Sequence, residues 1–290
     1  MSSKDAPPPL PEPLPVAVAD SHTHLDMQGP TVEEALVKAG LVGVETVVQV
    51  GCDLEGSRWA AETAARYANV HAAVALHPNE APRIVLGDPE GASSRQGPRE
   101  AGGDAALDDA LAEIDRLAAL DQVKAVGETG LDFFRTGPEG KEAQERSFRA
   151  HVEIAKRHGK ALVIHDREAH EDVLRVLAEE GAPERTVFHC YSGDADMARV
   201  CAERGYYMSF AGNVTFKNAQ PLRDALAVAP LELVLVETDA PFLTPAPYRG
   251  RPNAPYLVPV TVRAMAAVRG IGEEAMAAAI AENTARAFAY

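Results

Sequence analysis

Eight short apolar runs, each followed by a stretch of helical spacing, restrict this chain to very few folds. The runs are 16–22, 45–50, 72–76, 123–127, 161–165, 186–190, 206–210 and 233–238. Helical spacing covers 31–39, 55–67, 104–120, 139–158, 168–180, 194–204 and 217–228, with two further stretches at 258–268 and 272–287. Near-continuous apolar strands that alternate with helices imply a parallel sheet covered on its outer face. Eight such units predict a single-domain α/β fold, a (β/α)8 TIM-type barrel over residues 16–290, rather than an open sheet. A length of 290 residues suits that architecture, which takes roughly 250 plus insertions.

Two segments fall outside the pattern. Residues 1–15 are Pro-rich and polar, without the apolar core of a signal peptide, and read as a disordered leader in polyproline-like conformations. Residues 87–103 have turn-former composition without periodicity and read as a mobile surface loop after the third strand. Such a loop either overhangs the active face or is a neutral insertion.

Reactive side chains gather at the ends of the runs. His22 and His24 close the first; two apart in a strand, they share a face. His77 follows the third run, Glu128 the fourth and His165 the fifth. His189 lies near the end of the sixth and Asp239 ends the eighth. In a barrel these ends meet at one mouth, where the chemistry of this architecture sits. Four histidines and two carboxylates exceed a closed structural zinc site, which takes four ligands and favours cysteine. They suit two adjacent cations sharing a carboxylate: His22, His24, Glu128 and Asp239 on one, and Glu128, His165 and His189 on the other. Left without metal, six such groups buried together would be costly. Glu237, two residues before Asp239, is expected on the same face. There it orients a ligand or a water, or pairs with Lys or Arg. His71, His151, His158 and His170 lie elsewhere and read as solvated or capping residues.

The formal net charge of −15 repels nucleic acid and anionic membranes at long range, so a nucleic-acid substrate requires local positive charge. No apolar run is long enough to span a bilayer. The three cysteines, Cys52, Cys190 and Cys201, include no Cys-x-x-Cys and point to reduced thiols and a cytoplasmic setting.

Several motifs together carry a resemblance. They are Asp20-Ser-His-Thr-His-Leu-Asp26, Leu76-His-Pro78, Gly127-Glu-Thr-Gly-Leu-Asp-Phe133, Ile164-His-Asp166, Phe188-His-Cys-Tyr-Ser-Gly193, Ser209-Phe-Ala-Gly-Asn-Val-Thr-Phe-Lys217, Val236-Glu-Thr-Asp-Ala-Pro-Phe-Leu-Thr244 and Asn283-Thr-Ala-Arg-Ala-Phe288. In order, they resemble the TatD family of metal-dependent deoxyribonucleases, within the amidohydrolase-like metallo-hydrolases. The resemblance implies a TIM-type barrel and a site for one or two divalent metals. It places the metals on His22, His24, Glu128, His165, His189 and Asp239. It also implies substrate contact by His77 and Asn213, and a supporting catalytic role for Glu237.

The expected activity is hydrolysis of DNA phosphodiesters by metal-activated water, as a 3′–5′ exonuclease, with Mg, Mn or Zn. Glu128, Glu237 and Asp239 are the catalytic candidates, Asp239 accepting the proton of the attacking water. His77, Asn213, Arg135 and Arg251 are the candidate phosphate contacts. Phe133 and Phe134 either stack on a base or pack in the core. The expected partner is a DNA end or single strand, with no membrane and no obligate protein partner. Alternatives are a hydrolase of another bond on the same scaffold, such as an aminoacyl-tRNA ester or an amide, and a metal-binding protein without turnover.

Overall fold

The computed structural model describes residues 6–88 and 97–290. These residues form one eight-stranded parallel sheet in the order β1 to β8, a (β/α)8 barrel in which helices alternate with strands. A parallel bridge between Thr23 and Ala240 joins the segment after β8 to β1. The strands are β1 (Val18–Thr23), β2 (Val44–Val50), β3 (Val70–Val74), β4 (Val123–Asp132), β5 (Ala161–Arg167), β6 (Thr186–Phe188), β7 (Tyr207–Phe210) and β8 (Val234–Val236). The helices are α1 (Val32–Gly40), α2 (Leu54–Arg66), α3 (Glu80–Leu86), α4 (Gly103–Ala118), α5 (Pro138–His158), α6 (His170–Glu180), α7 (Ala195–Glu203), α8 (Gln220–Val228), α9 (Val258–Arg269) and α10 (Glu273–Phe288). Among the described residues no helix is long and apolar enough to cross a membrane.

Packing divides the chain into two compact units. The first runs through Gln49 and includes Ala68–Val70 and Val187–Tyr290. Its interior holds Val18, Leu257, Val262, Met265, Met276, Ile280 and Phe288. In it β1 is wholly buried. The pairing of β1 with β2 advances three residues on β1 (Asp20 to Thr23) against two on β2 (Val47 to Gln49). This extra residue is a bulge at Ser21–His22, a device that re-aims a side chain.

The second unit comprises Val50–Tyr67 and His71–Thr186. Leu107, Ile114, Phe148, Val152, Ile164 and Val173 are buried in it. Here β4 pairs with β5, and the register slips in the same way: Val126 pairs with Leu162, but Thr129 with Ile164. The additional residue falls at Gly127–Glu128. Gly130 has φ +133, and a Cβ there would lie 2.1 Å from the His165 carbonyl oxygen, so only glycine fits.

Four expectations need correction. Of the leader expected to be disordered, 1–15, residues 1–5 lie outside the described residues and 6–14 are tied down. The Arg251 guanidinium donates to the carbonyls of Ala6 and Pro7, Tyr256 Oη to Pro8, and Arg263 to Glu12 and Pro13. Leu14 is buried, and its N–H reaches the Val42 carbonyl at 3.0 Å. Secondly, α3 falls in a stretch that carries no helical pattern of useful length. It is only seven residues long, with Pro82 inside it and a buried Glu80–Arg83 pair at 3.1 Å. Thirdly, the expected loop at 87–103 has anchored flanks: Asp88 and Arg99 form an antiparallel bridge, and Arg83 Nη2 donates to the Gly97 carbonyl at 2.6 Å. The rest of that expectation, 89–96, lies outside the described residues. Finally, β8 ends at Val236, so strand alternation does not relate Glu237 to Asp239. Asp239 takes the left-handed conformation, φ +51, which turns its side chain out of any strand pattern.

Candidate metal centre

In the first unit, three ligand-type atoms converge. His22 Nε2 is 3.3 Å from His24 Nε2 and 3.8 Å from Asp239 Oδ1, and His24 Nε2 is 3.5 Å from the same oxygen. Ligand atoms held at 2.0–2.2 Å from a tetrahedral cation lie about 3.4 Å apart, so the triangle has the size a cation requires. The backbone fixes it: the Asp239 N–H donates to the His22 carbonyl at 2.9 Å, and the His24 N–H to Ala240 at 2.8 Å. Beneath them Asp20, fully buried, accepts from the Thr238 N–H at 2.8 Å, from the Thr238 hydroxyl and from the His22 N–H. Burial pushes the Asp20 carboxyl up to about 8, although the Thr238 hydrogen bonds pull it down. Burial also penalises the Asp239 carboxylate, but the hydrogen bond from His24 and the imidazoles of His22 and His189 outweigh it. That carboxyl therefore sits below its ordinary value.

The His189 ring stacks on His22, with centroids 3.9 Å apart. Its Nδ1 lies 3.2 Å from Glu237 Oε1, which also accepts from the Cys190 N–H at 2.9 Å. A carboxylate behind one imidazole nitrogen fixes the tautomer and leaves the other nitrogen as a lone-pair donor. Glu237 is 0% exposed, and its Oε2 is buried with no hydrogen-bond partner among the described residues. His22, His189 and Glu237 offer ligand atoms within 4.8 Å of one another. A buried, undonated carboxylate oxygen is expensive, and a cation is the counterpart it lacks.

The second unit repeats the device. His165 Nδ1 is 3.3 Å from Glu128 Oε2, and its Nε2 is 3.2 Å from Asp132 Oδ2. Glu128 Oε1 accepts from Cys52 Sγ at 3.2 Å. Asp132 also accepts from the backbone N–H groups of Phe134 and Arg135 and from Asn79. Burial opposes its ionisation, yet the hydrogen bond from His165 and these donors bring the carboxyl down to about 2. His77 packs edge-on against His165, with centroids 4.5 Å apart, and its Nδ1 accepts the Asn79 N–H at 3.0 Å. The ligand atoms of His77, Asp132 and His165 also lie within 4.8 Å of one another.

Sequence reasoning gave no role to Asp20 or Asp132, although both stand in the quoted motifs. Both are buried, Asp20 within β1 and Asp132 as the last residue of β4. Glu237 pairs with His189 rather than with Lys or Arg. Of the other candidates, Asn213 sits on the 3-10 turn Gly212–Thr215, its amide 4.0 Å from Cys190 Sγ. The Arg135 side chain is exposed. Arg251 spends two of its five N–H groups on the carbonyls of Ala6 and Pro7. His151 is neither solvated nor at the mouth. It is buried on α5, and its Nε2 accepts the Leu76 N–H at 3.0 Å.

The model of the family described as TatD related DNase matches residues 19–289. The chain is similar to an uncharacterized metal-dependent hydrolase, TatD, of Mycobacterium tuberculosis. The two are 42% identical over 279 residues, covering 93% of this chain and 97% of that one. It is also similar to the uncharacterized metal-dependent hydrolase YcfH of Escherichia coli, at 34% identity, 93% and 95% covered. Among solved structures, the TatD homologue YjjV of Escherichia coli superposes with a TM-score of 0.81 at 26% identity, covering 94% of this chain and 98% of that one. The donor set here fits the metal that the relatives' names imply: imidazole and carboxylate suit Zn, Mn or Fe, and the buried Glu237 oxygen calls for positive charge.

Proposed function

The chain belongs to the TatD-related DNase family, and on that premise we propose that it hydrolyses DNA phosphodiesters from a 3′ end. Metal-dependent hydrolysis is the chemistry of that family; DNA as the substrate is our inference. In this reading His22, His24, Glu128, His165, His189 and Asp239 hold one or two divalent cations, and Glu128 is shared. The observation that carries it is the His22–His24–Asp239 triangle, whose edges match the ligand spacing of a cation.

When bound, the cation supplies Lewis acidity toward the phosphoryl oxygens and acidifies the attacking water. The protein supplies the rest. Asp239 is ionised at neutral pH and accepts the proton of that water. Glu237 and Asp132 hold His189 and His165 in one tautomer each, so that His189 Nε2 and His165 Nδ1 carry the lone pairs. The Asn79 N–H occupies His77 Nδ1, which puts the His77 proton on Nε2, a donor for a phosphoryl oxygen. Arg135 and the Asn213 amide provide further phosphate contacts, part of the local positive and donor character that a chain of net charge −15 needs.

The test is a panel of a 5′-labelled single-stranded oligonucleotide, an aminoacyl-tRNA and an amide, each with Mg, Mn or Zn and a chelator control. The expected outcome is stepwise shortening of the oligonucleotide from its 3′ end, abolished by chelator. Asp239→Asn and Glu128→Ala should lower it about 100-fold or more while the far-UV spectrum stays unchanged. Turnover of the ester or amide alone would overturn the DNA reading. Inertness with every metal would overturn hydrolysis itself.

A further inference from the structure

In the first unit, the segment after Asp239 walls a cavity of about 610 Å3, lined by Phe216, Pro241, Leu243, Thr244, Arg249 and Arg251 among others. That volume is in the range of small-molecule sites. The walls are fixed. The Thr244 hydroxyl donates to the Arg251 carbonyl at 2.6 Å, the Ala246 N–H to Thr215 Oγ1 at 2.8 Å, and the Asn253 amide to the carbonyls of Thr238 and Phe242. Gly212 packs so closely here that a Cβ would meet the Leu243 carbonyl oxygen at 2.2 Å. The cavity therefore stands in fixed register with Asp239, two residues before Pro241, and with Asn213, three residues before Phe216.

Two guanidinium groups and no carboxylate line it. The Arg251 guanidinium is pinned by the leader carbonyls, a positive charge held in place. The Arg249 guanidinium lies 4.1 Å from the centroid of the Phe216 ring. Among the described residues, neither a hydrogen bond nor an ion pair takes up its N–H groups. Stacking uses the face of a guanidinium and leaves its five in-plane donors for an anion, the geometry that matches phosphate.

We propose that this cavity is a subsite for a second phosphate of the substrate, gripped by Arg249 one unit away from the bond that is cleaved. The inference rests on the phosphodiesterase reading and narrows it: a terminal phosphate or a longer strand is preferred over an isolated diester. The Phe216 ring holds the Arg249 fork in place, and Arg251 adds field without direct contact.

The experiment compares kcat/KM for a thymidine dinucleotide with its single internal phosphate and for the same dinucleotide with a second phosphate at the 5′ or the 3′ end. The expected result is a preference of about tenfold or more for one of the two-phosphate forms, the worth of one charge-assisted contact. Arg249→Met should erase it, and Arg249→Lys, which keeps charge but not the fork, should restore part of it. A preference that survives Arg249→Met, or no preference in the unaltered protein, would overturn the subsite. If no dinucleotide is cleaved, the hydrolytic reading falls, and inorganic pyrophosphate binding tests the cavity alone. Calorimetric affinity at least fivefold weaker in Arg249→Met supports it, and equal affinity overturns it.

Discussion

Glu237 and Asp132 show how much of a metal site lies behind its ligands. Each is a buried carboxylate that takes the N–H of one imidazole, His189 in the first unit and His165 in the second. Glu237→Gln keeps an acceptor for the Cys190 N–H but loses the charge, and Asp132→Asn does the same beneath His165. Either change should weaken cation binding about 10–100-fold, read by titration with Mn or Zn, with little change in unfolding midpoint for the metal-free protein. Unchanged affinity would remove both residues from the site. The ligand candidates themselves were legible because five of the nine histidines fall at the ends of the apolar runs. Of the supporting carboxylates Glu237 was anticipated and Asp132 was not, since a carboxylate at the end of an apolar run carries no mark of its partner. The relation of Glu237 to Asp239 was misread for a different reason. It assumed strand geometry, and the backbone leaves that geometry at Val236.

Among the elements, β1 and β4 each carry one extra residue against their neighbour, and the extra residues bring His22 and Glu128 to their places. A bulge of this kind has no composition signature beyond a glycine such as Gly127, so the strands were legible and their slips were not. Helix α5 was readable at both ends, from Pro138 at its start to Gly159 beyond its end with φ +59. What its spacing could not tell was that His151 reaches across to the end of β3. Burial lowers His151 to about 4, against an ordinary value of 6.5, even though the Ser147 carbonyl favours its protonated form. The neutral ring is therefore the folded form. The unfolded chain binds the proton first, near 6.5, so this contribution to stability is complete above that pH and is lost as the pH falls toward 4. The loss amounts to about 3 kcal/mol at most. Denaturant midpoints of the unaltered protein should fall between pH 6.5 and 5, and those of His151→Gln should fall less steeply. Parallel pH profiles would contradict the assignment.

At the scale of the whole molecule, the eightfold alternation was enough to give the barrel, because each strand must be covered by a helix and each helix must bury one face. The two departures have a common cause. Proline-rich and short polar segments show no periodicity, whether they hang free or are tied down. Residues 6–14 are tied down by Arg251, Tyr256 and Arg263, contacts from the far end of the chain that no local pattern announces. The central claim also belongs to this scale: His22 and His24, with Asp239 more than 200 residues away in sequence, hold a divalent cation together. Anomalous diffraction from crystals soaked in Mn or Zn tests it most directly. The expected result is a peak about 2.0–2.2 Å from His22 Nε2, His24 Nε2 and Asp239, with Glu128 as a further ligand and any second peak shared between Glu128, His165 and His189. A peak that is not within ligand distance of His22, His24 and Asp239, or no peak at all, would contradict it.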